Sequence, residues 1–159
     1  MLKYLSPLHK ATRQISVWFE DRMEGMGLIS QEGHILSYLR SYSPCPISEL
    51  VRVFGIKQST MTSMLDRLEQ RALIVRELNR DDRRSFMVAL TGEGRTLANR
   101  VQKFVTEIEA KIGERVGPAE LRGFQSTMEA IERATEVVLR EREPSKPAGA
   151  RRRRNVGRS

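Results

Sequence analysis

The chain has 159 residues, 39% of them hydrophobic and 30% charged, with one cysteine and a formal charge of +8. That length fits one domain with an appendage, and a lone cysteine excludes an intrachain disulfide. The N-terminus lacks the continuous apolar core of a signal peptide and no run approaches membrane-spanning length, so a soluble, cytoplasmic protein without a membrane partner is expected. The charge is unevenly placed. Residues 140–159 hold eight arginines and lysines against Glu141 and Glu143, a net +6, which leaves about +2 for the body. Any case for nucleic-acid binding must therefore rest on motif, because the high pI belongs mostly to the tail.

In chain order, the first helical pattern runs from about Pro7 to Met26. Leu5, Leu8, Thr12, Ile15, Phe19 and Met23 alternate by three and four, with Trp18 beside them. Gly25 and Gly27 bracket its end. Ser30 is expected to cap the next helix, Ser30 to Tyr42, whose apolar side is Ile35, Leu36, Leu39 and Tyr42. Ser43-Pro44-Cys45-Pro46 stops it.

A shorter segment follows with Ile47, Leu50, Val51 and Phe54 on one helix face, closed by Gly55. A second amphipathic segment runs from about Gln58 to Arg71. Its apolar stripe is Met61, Met64, Leu65 and Leu68; its other face carries Gln58, Ser59, Thr60, Thr62, Ser63, Arg67 and Gln70. Two helices joined by a tight glycine turn make a helix-turn-helix, whose second helix offers its polar face to the major groove. Leu73 to Leu78 and the alternating Ser85 to Leu90 then read as two strands of a hairpin with a polar tip, Asn79-Arg80-Asp81-Asp82-Arg83-Arg84. The sum is a winged helix-turn-helix: mainly α, with a small β-hairpin wing.

Thr91 is expected to cap a long helix reaching about Arg115, and Gly117-Pro118 separates it from a last one. In that last helix Leu121, Phe124, Met128, Ile131, Thr135 and Val138 alternate by three and four, which suits either a heptad seam or an ordinary core-facing stripe. Amphipathic helices at both chain ends favour a homodimer whose interface includes Leu5, Leu8, Leu121, Phe124, Met128, Ile131 and Val138. Residues 144–159 lack apolar periodicity and are expected to be a disordered basic tail, with Arg151 to Arg154 adding salt-sensitive, non-specific phosphate affinity.

Five short strings in order resemble the MarR family of bacterial transcription regulators. They are Gln58-Ser59-Thr60-Met61-Thr62, Asp66-Arg67-Leu68-Glu69, Leu73-Ile74, Asp82-Arg83-Arg84-Ser85 and Leu90-Thr91-Gly92-Glu93-Gly94. The resemblance extends more loosely over about Leu8 to Leu139. It implies a domain over 1–143 with a DNA-binding lobe at about 44–91 and dimerisation helices at about 5–26 and 92–143. It also implies a support helix at 30–42, a repressor more often than an activator, and a nucleoid location. A small phenolic or lipophilic effector would bind between the dimer helices and the DNA lobe. Trp18, Phe19, Tyr38 and Tyr42 are candidates to line that pocket, although core packing explains them equally well.

The chemistry of the individual positions follows. Gln58, Ser59, Thr60, Thr62 and Ser63 lie at the end of the recognition helix where short hydroxyls and amides reach phosphates and base edges. Lys57 stands where a capping oxygen is expected; either Ser59 caps a shorter helix or the lysine serves a phosphate. Arg67 suits a phosphate, a base or a wing aspartate. Arg83 and Arg84 resemble the family's wing tip, where an arginine enters the minor groove. Arg80 is a phosphate candidate, and Asp82 orients the arginines rather than touching DNA. Cys45 reads as structural, since family members that sense oxidants use a cysteine in the first helix. His9 and His34 are far apart, and Asp81-Asp82 sits among arginines, so neither a metal nor a cofactor is expected. Gly92-Glu93-Gly94 is too short for a phosphate loop and no catalytic constellation can be assembled, so no enzyme is expected. The competing reading is an architectural or protein-interaction module held near nucleic acid by its tail.

Overall fold

The computed structural model describes residues 2–80 and 85–137. Six helices and three short strands follow one another as α1 (Leu5–Glu24), α2 (Ser30–Tyr42), β1 (Cys45–Pro46), α3 (Ile47–Phe54), α4 (Gln58–Gln70), β2 (Ile74–Leu78), β3 (Phe86–Leu90), α5 (Gly92–Gly113) and α6 (Pro118–Thr135). The mainly helical architecture with a β wing is the one the sequence predicts.

Two local expectations change. Ser30 does not cap α2; Ile29 holds the cap position, and its N–H donates to Oε2 of Glu32 at 3.2 Å. A glutamate three residues past the cap does this well, because its side chain reaches back over the first turn. Ser30 is instead the first residue of the helix and is buried. The second change is in the sheet, which has three strands in the order β1-β3-β2, all antiparallel. The Pro-Cys-Pro stretch that reads as a helix stop also pairs Cys45 with Val88 and Pro46 with Met87. Proline is compatible with that place because an edge strand need not donate on its outer side. Val88 is fully buried, whereas Phe86, expected on the same face, is exposed beside Leu78, its partner towards the wing tip. The hairpin runs out past the core there.

One core unites α1 to α5 with the sheet: Phe19 and Met23 from α1, Ile35, Leu36 and Leu39 from α2, Leu50 from α3, Met61, Met64, Leu65 and Leu68 from α4, Ile74 and Val88 from the sheet, and Ala98 and Val101 from α5. A fully buried side chain of this size contributes roughly 1.5–3 kcal/mol. The four from α4 are therefore enough to decide which face of that helix points inward. Polar pairs align α2 with α5: Ser37 Oγ donates to Gln102 Oε1 at 3.0 Å, and Arg40 Nε to Asn99 Oδ1 at 2.7 Å. Thr91 caps α5 as expected, accepting the N–H of Gly94 at 3.0 Å while its hydroxyl donates to the carbonyl of Ala72 at 2.7 Å. Among the described residues no helix is long and apolar enough to cross a membrane.

Candidate nucleic-acid interface

The turn between α3 and α4 needs a left-handed residue, and Gly55 supplies it at φ 61°. Gly55 N–H then closes onto the carbonyl of Val51 at 3.0 Å. Past the turn, α4 begins at Gln58 with Lys57 in the cap position and no side-chain cap bond. Of the two alternatives for this start, a shorter helix capped by Ser59 does not occur. Ser59 lies inside the first turn, and its carbonyl accepts Ser63 Oγ at 3.0 Å. With the apolar stripe turned inward, Lys57, Gln58, Ser59, Thr60, Ser63 and Arg67 are exposed on one continuous surface, and Thr62 is half-buried.

The acidic residues of α4 are drawn towards the wing. Arg76 on β2, whose side chain is largely buried, pairs with Asp66 and lies 3.3 Å from Oε2 of Glu69. Two carboxylates that would repel phosphate are thereby partly neutralised by a residue on the adjoining strand β2. The hairpin itself is closed by Asn79, whose N–H donates to the Ser85 carbonyl at 2.9 Å and whose amide donates to Ser85 Oγ at 3.1 Å. Arg80 is exposed beside that closure. The expectations for Asp82, Arg83 and Arg84, and for the Asp81-Asp82 pair, fall on residues outside those described.

Arg67 is held from the other side. Its Nε donates to Oε1 of Glu32 at 2.7 Å, and Glu32 is nearly fully buried at the start of α2. Among the described residues that is the carboxylate it pairs with. One turn on, Arg71 reaches the carbonyls of Gly27 and Met26. Neither Glu32 nor Arg71 is singled out by sequence reasoning. Glu32 carried a readable signal, a glutamate in the first turn of a predicted helix.

The four aromatic candidates divide. Phe19, Tyr38 and Tyr42 line one open cleft of about 540 Å³ with His34, Phe54 and Ile108 between α1, α2, α3 and α5. Trp18 does not join them; it lines a different groove along α1, where the Arg22 guanidinium sits 3.6 Å from its ring centroid. In the shared cleft Tyr38 and Tyr42 stack at 4.3 Å, and Tyr38 Oη donates to Oε1 of Glu49 at 2.6 Å. Burial, followed by the Glu49 hydrogen bond and charge, pushes the Tyr38 phenol well above its ordinary value. Burial likewise lowers His34. Cys45 is fully buried in the core. Among the described residues no group of three or more His, Cys, Asp or Glu is arranged to hold a metal.

The candidate dimerisation residues lie at the two ends of the described chain. None of the residues of α6 is buried. Leu121 and Phe124 are exposed, while Met128 and Ile131 are half-buried. Leu5 and Ile131 share a cleft of about 510 Å³ with Tyr4, Ala130 and Ala134; Leu8 is half-buried on α1. The expectation for Val138, like that for the 144–159 tail, falls on residues outside those described.

A helix, a glycine turn, a second helix with a polar outer face and a three-stranded wing define the winged helix-turn-helix class. Comparison points to a family: the sequence model of the MarR family matches residues 28–86. The chain is 36% identical over 74 residues to the HTH-type transcriptional repressor MdtR of Bacillus subtilis (strain 168), covering 46% of this chain and 48% of that one. It is 42% identical over 89 residues to the HTH-type transcriptional regulator PecS of Dickeya dadantii (strain 3937), covering 54% of this chain and 53% of that one. These matches thus span about half the length of each relative. Among solved structures, the S. aureus MepR–DNA complex superimposes with a TM-score of 0.76 at 17% identity, over 84% of this chain and 99% of that one. Apo MarR from E. coli gives 0.67 at 17% identity, over 82% and 97%. Likeness at that identity speaks for the fold.

Proposed function

We propose that the chain is a sequence-specific DNA-binding transcription regulator that acts as a homodimer on a pseudo-palindromic site. The observation that carries this reading is the outer face of α4. Lys57, Gln58, Ser59, Thr60, Ser63 and Arg67 are exposed together, with Thr62 at the edge, on a helix whose position is fixed by four buried apolar residues. Amides and hydroxyls serve base edges and phosphates, and the cations serve phosphates. Arg80, Arg83 and Arg84 on the wing would reach the flanking minor groove and backbone, with Asp82 orienting them. The names of the related proteins, a repressor and a regulator of transcription, and a neighbouring fold solved as a DNA complex, support the same reading and favour repression. Action on nucleoid DNA in a bacterial cytoplasm follows from it.

Dimerisation through α1 and α6 is supported by the apolar side chains these helices leave uncovered. In that arrangement the DNA lobe is about 44–91, the dimerisation helices are about 5–26 and 92–143, and 144–159 is an appended basic tail. A small phenolic or lipophilic effector would take the cleft of Phe19, Tyr38 and Tyr42, between the helices of the dimer and the lobe. It would act by biasing the separation of the two recognition helices.

The experiment is selection of bound fragments from the source genome at near-physiological salt, using the full chain and a version ending at Glu143. One inverted repeat recovered by both is the expected result. Unrelated fragments recovered by the full chain alone would assign the affinity to the tail and overturn the reading.

A further inference from the structure

A nearly buried carboxylate stands directly behind the proposed DNA face. The Glu32 side chain is 5% exposed and that of Arg67 is 51% exposed. Glu32 accepts through both oxygens, from Ile29 N–H at 3.2 Å and from Arg67 Nε at 2.7 Å. Arg67 opens onto a cleft of about 410 Å³ walled by Gln31 from α2 and by Ser59, Thr60 and Ser63 from α4. By charge alone, a carboxylate in this place opposes DNA binding, because it repels phosphate. Its geometry offers the opposite effect. A guanidinium carries five N–H donors in one plane, so a bond at Nε fixes that plane and leaves the Nη ends to meet another acceptor. The arginine is then ordered when the protein folds rather than when DNA arrives, which removes part of the entropy cost of binding.

We infer that Glu32 is a positioning residue for DNA recognition: it fixes the Arg67 guanidinium so that its outer edge meets a backbone phosphate seated over the α2–α4 cleft. The inference rests on the DNA-binding reading above. Sequence separates the two residues by 35 positions, and they belong to different helices. The bond therefore also ties the recognition helix to α2.

The two effects of Glu32 have opposite signs, which makes the test sharp. Affinity of the full chain is measured for the fragment that the unmutated protein selects, across a salt series and well below the unfolding temperature. Glu32→Ala is expected to weaken binding about tenfold and to reduce the slope of log affinity against log salt by about one, the signature of one lost phosphate contact. Glu32→Gln keeps an oxygen for Arg67 Nε and is expected to recover part of the loss. Arg67→Ala weakens binding similarly, and adding Glu32→Ala to it changes nothing further. Binding by Glu32→Gln and Glu32→Ala as tight as that of the unmutated chain, or tighter, would overturn the inference, as would an undiminished effect of Glu32→Ala without Arg67. Helicity is followed in parallel; if Glu32→Ala does not fold, Glu32→Gln decides alone, weaker binding supporting the inference and equal or tighter binding overturning it. Failure of the unmutated chain to select any fragment would overturn the DNA-binding reading and this inference together. A selected fragment bound equally by the variants would overturn the inference alone.

Discussion

Arg71 Nη1 donates to the carbonyl of Gly27 at 2.5 Å while its Nη2 donates to that of Met26 at 2.9 Å, so one guanidinium at the end of α4 clasps the corner between α1 and α2. Gly27 itself sits at φ 64°, and the carbonyls at such a corner have no intrahelical partner. Because Arg71 is exposed, the net worth of the clasp falls below the usual range for a charged donor. Arg71→Ala is expected to cost about 1 kcal/mol and to lower the unfolding midpoint by about 2–4 °C. Arg71→Lys keeps the charge but not the fork and should recover little. If lysine restores the midpoint fully in a circular-dichroism melt, charge near the helix end, rather than the two-pronged bond, is what matters.

Where the wing meets α5 the backbones come very close. A Cβ on Gly94 would lie 1.7 Å from the carbonyl oxygen of Leu73, a main-chain atom that cannot swing aside. Thr91 N–H donates to that same carbonyl at 3.1 Å, so the oxygen is also held in place. Gly94→Ala is expected to destabilise by about 3 kcal/mol, the upper end for over-packing. Gly92→Ala, two residues earlier, meets nothing within 4 Å and serves as the control. Urea titration of the two variants distinguishes them; equal midpoints would show that the wing can shift to make room.

His34 gives stability a pH dependence. Burial holds its imidazole below the ordinary 6.5, in a cleft it shares with Tyr38, Tyr42 and Glu109. Below that value the unfolded chain binds the proton more readily than the folded one, so stability rises with pH across the window. The contribution is complete above about pH 6.5 and is lost as pH falls through the lowered folded value. His34→Gln should flatten this part of the profile, as read from urea midpoints between about pH 7 and pH 5. An unchanged slope would place the titrating group elsewhere.

The local features of the fold were readable because they depend on neighbours in sequence. Four apolar residues at helical spacing fixed the inner face of α4, Gly55 marked the turn, and Thr91 capped α5 with its own hydroxyl. The pairings that hold the lobe together were not readable. Glu32 with Arg67 and Arg71 with Gly27 join positions 35 and 44 residues apart, and periodicity carries no information about such partners. In the sequence Cys45–Pro46 reads as a stop alone, because its strand pairing depends on β3, some forty residues later. Trp18 and Phe19 meet edge to face at 5.0 Å, yet adjacent residues on a helix point about 100° apart, so the two line different clefts.

Self-association has a direct test on α6. Phe124 is 57% exposed in the single chain, so replacing it should cost the monomer little. If two copies meet there, Phe124→Asp inserts a charge into an apolar interface and is expected to shift sedimentation towards the monomer by at least tenfold in dissociation constant. DNA affinity should fall with it, since both half-sites are needed for full binding. A variant that remains dimeric would place the interface on another surface.

The wing and the tail offer the last contrast, because both are basic and only one is expected to read sequence. Arg84→Ala should weaken binding to the selected fragment at least tenfold, while affinity for unrelated DNA changes far less. Ending the chain at Glu143 removes Arg151 to Arg154 and should do the reverse. Affinity would drop by a similar factor for every sequence, and the salt slope would fall by a few units as those charges leave. The ratio of specific to non-specific affinity, measured over a salt series, separates the two. If truncation rather than Arg84→Ala collapses that ratio, the discrimination resides in the tail, and the wing arginines act only as phosphate contacts.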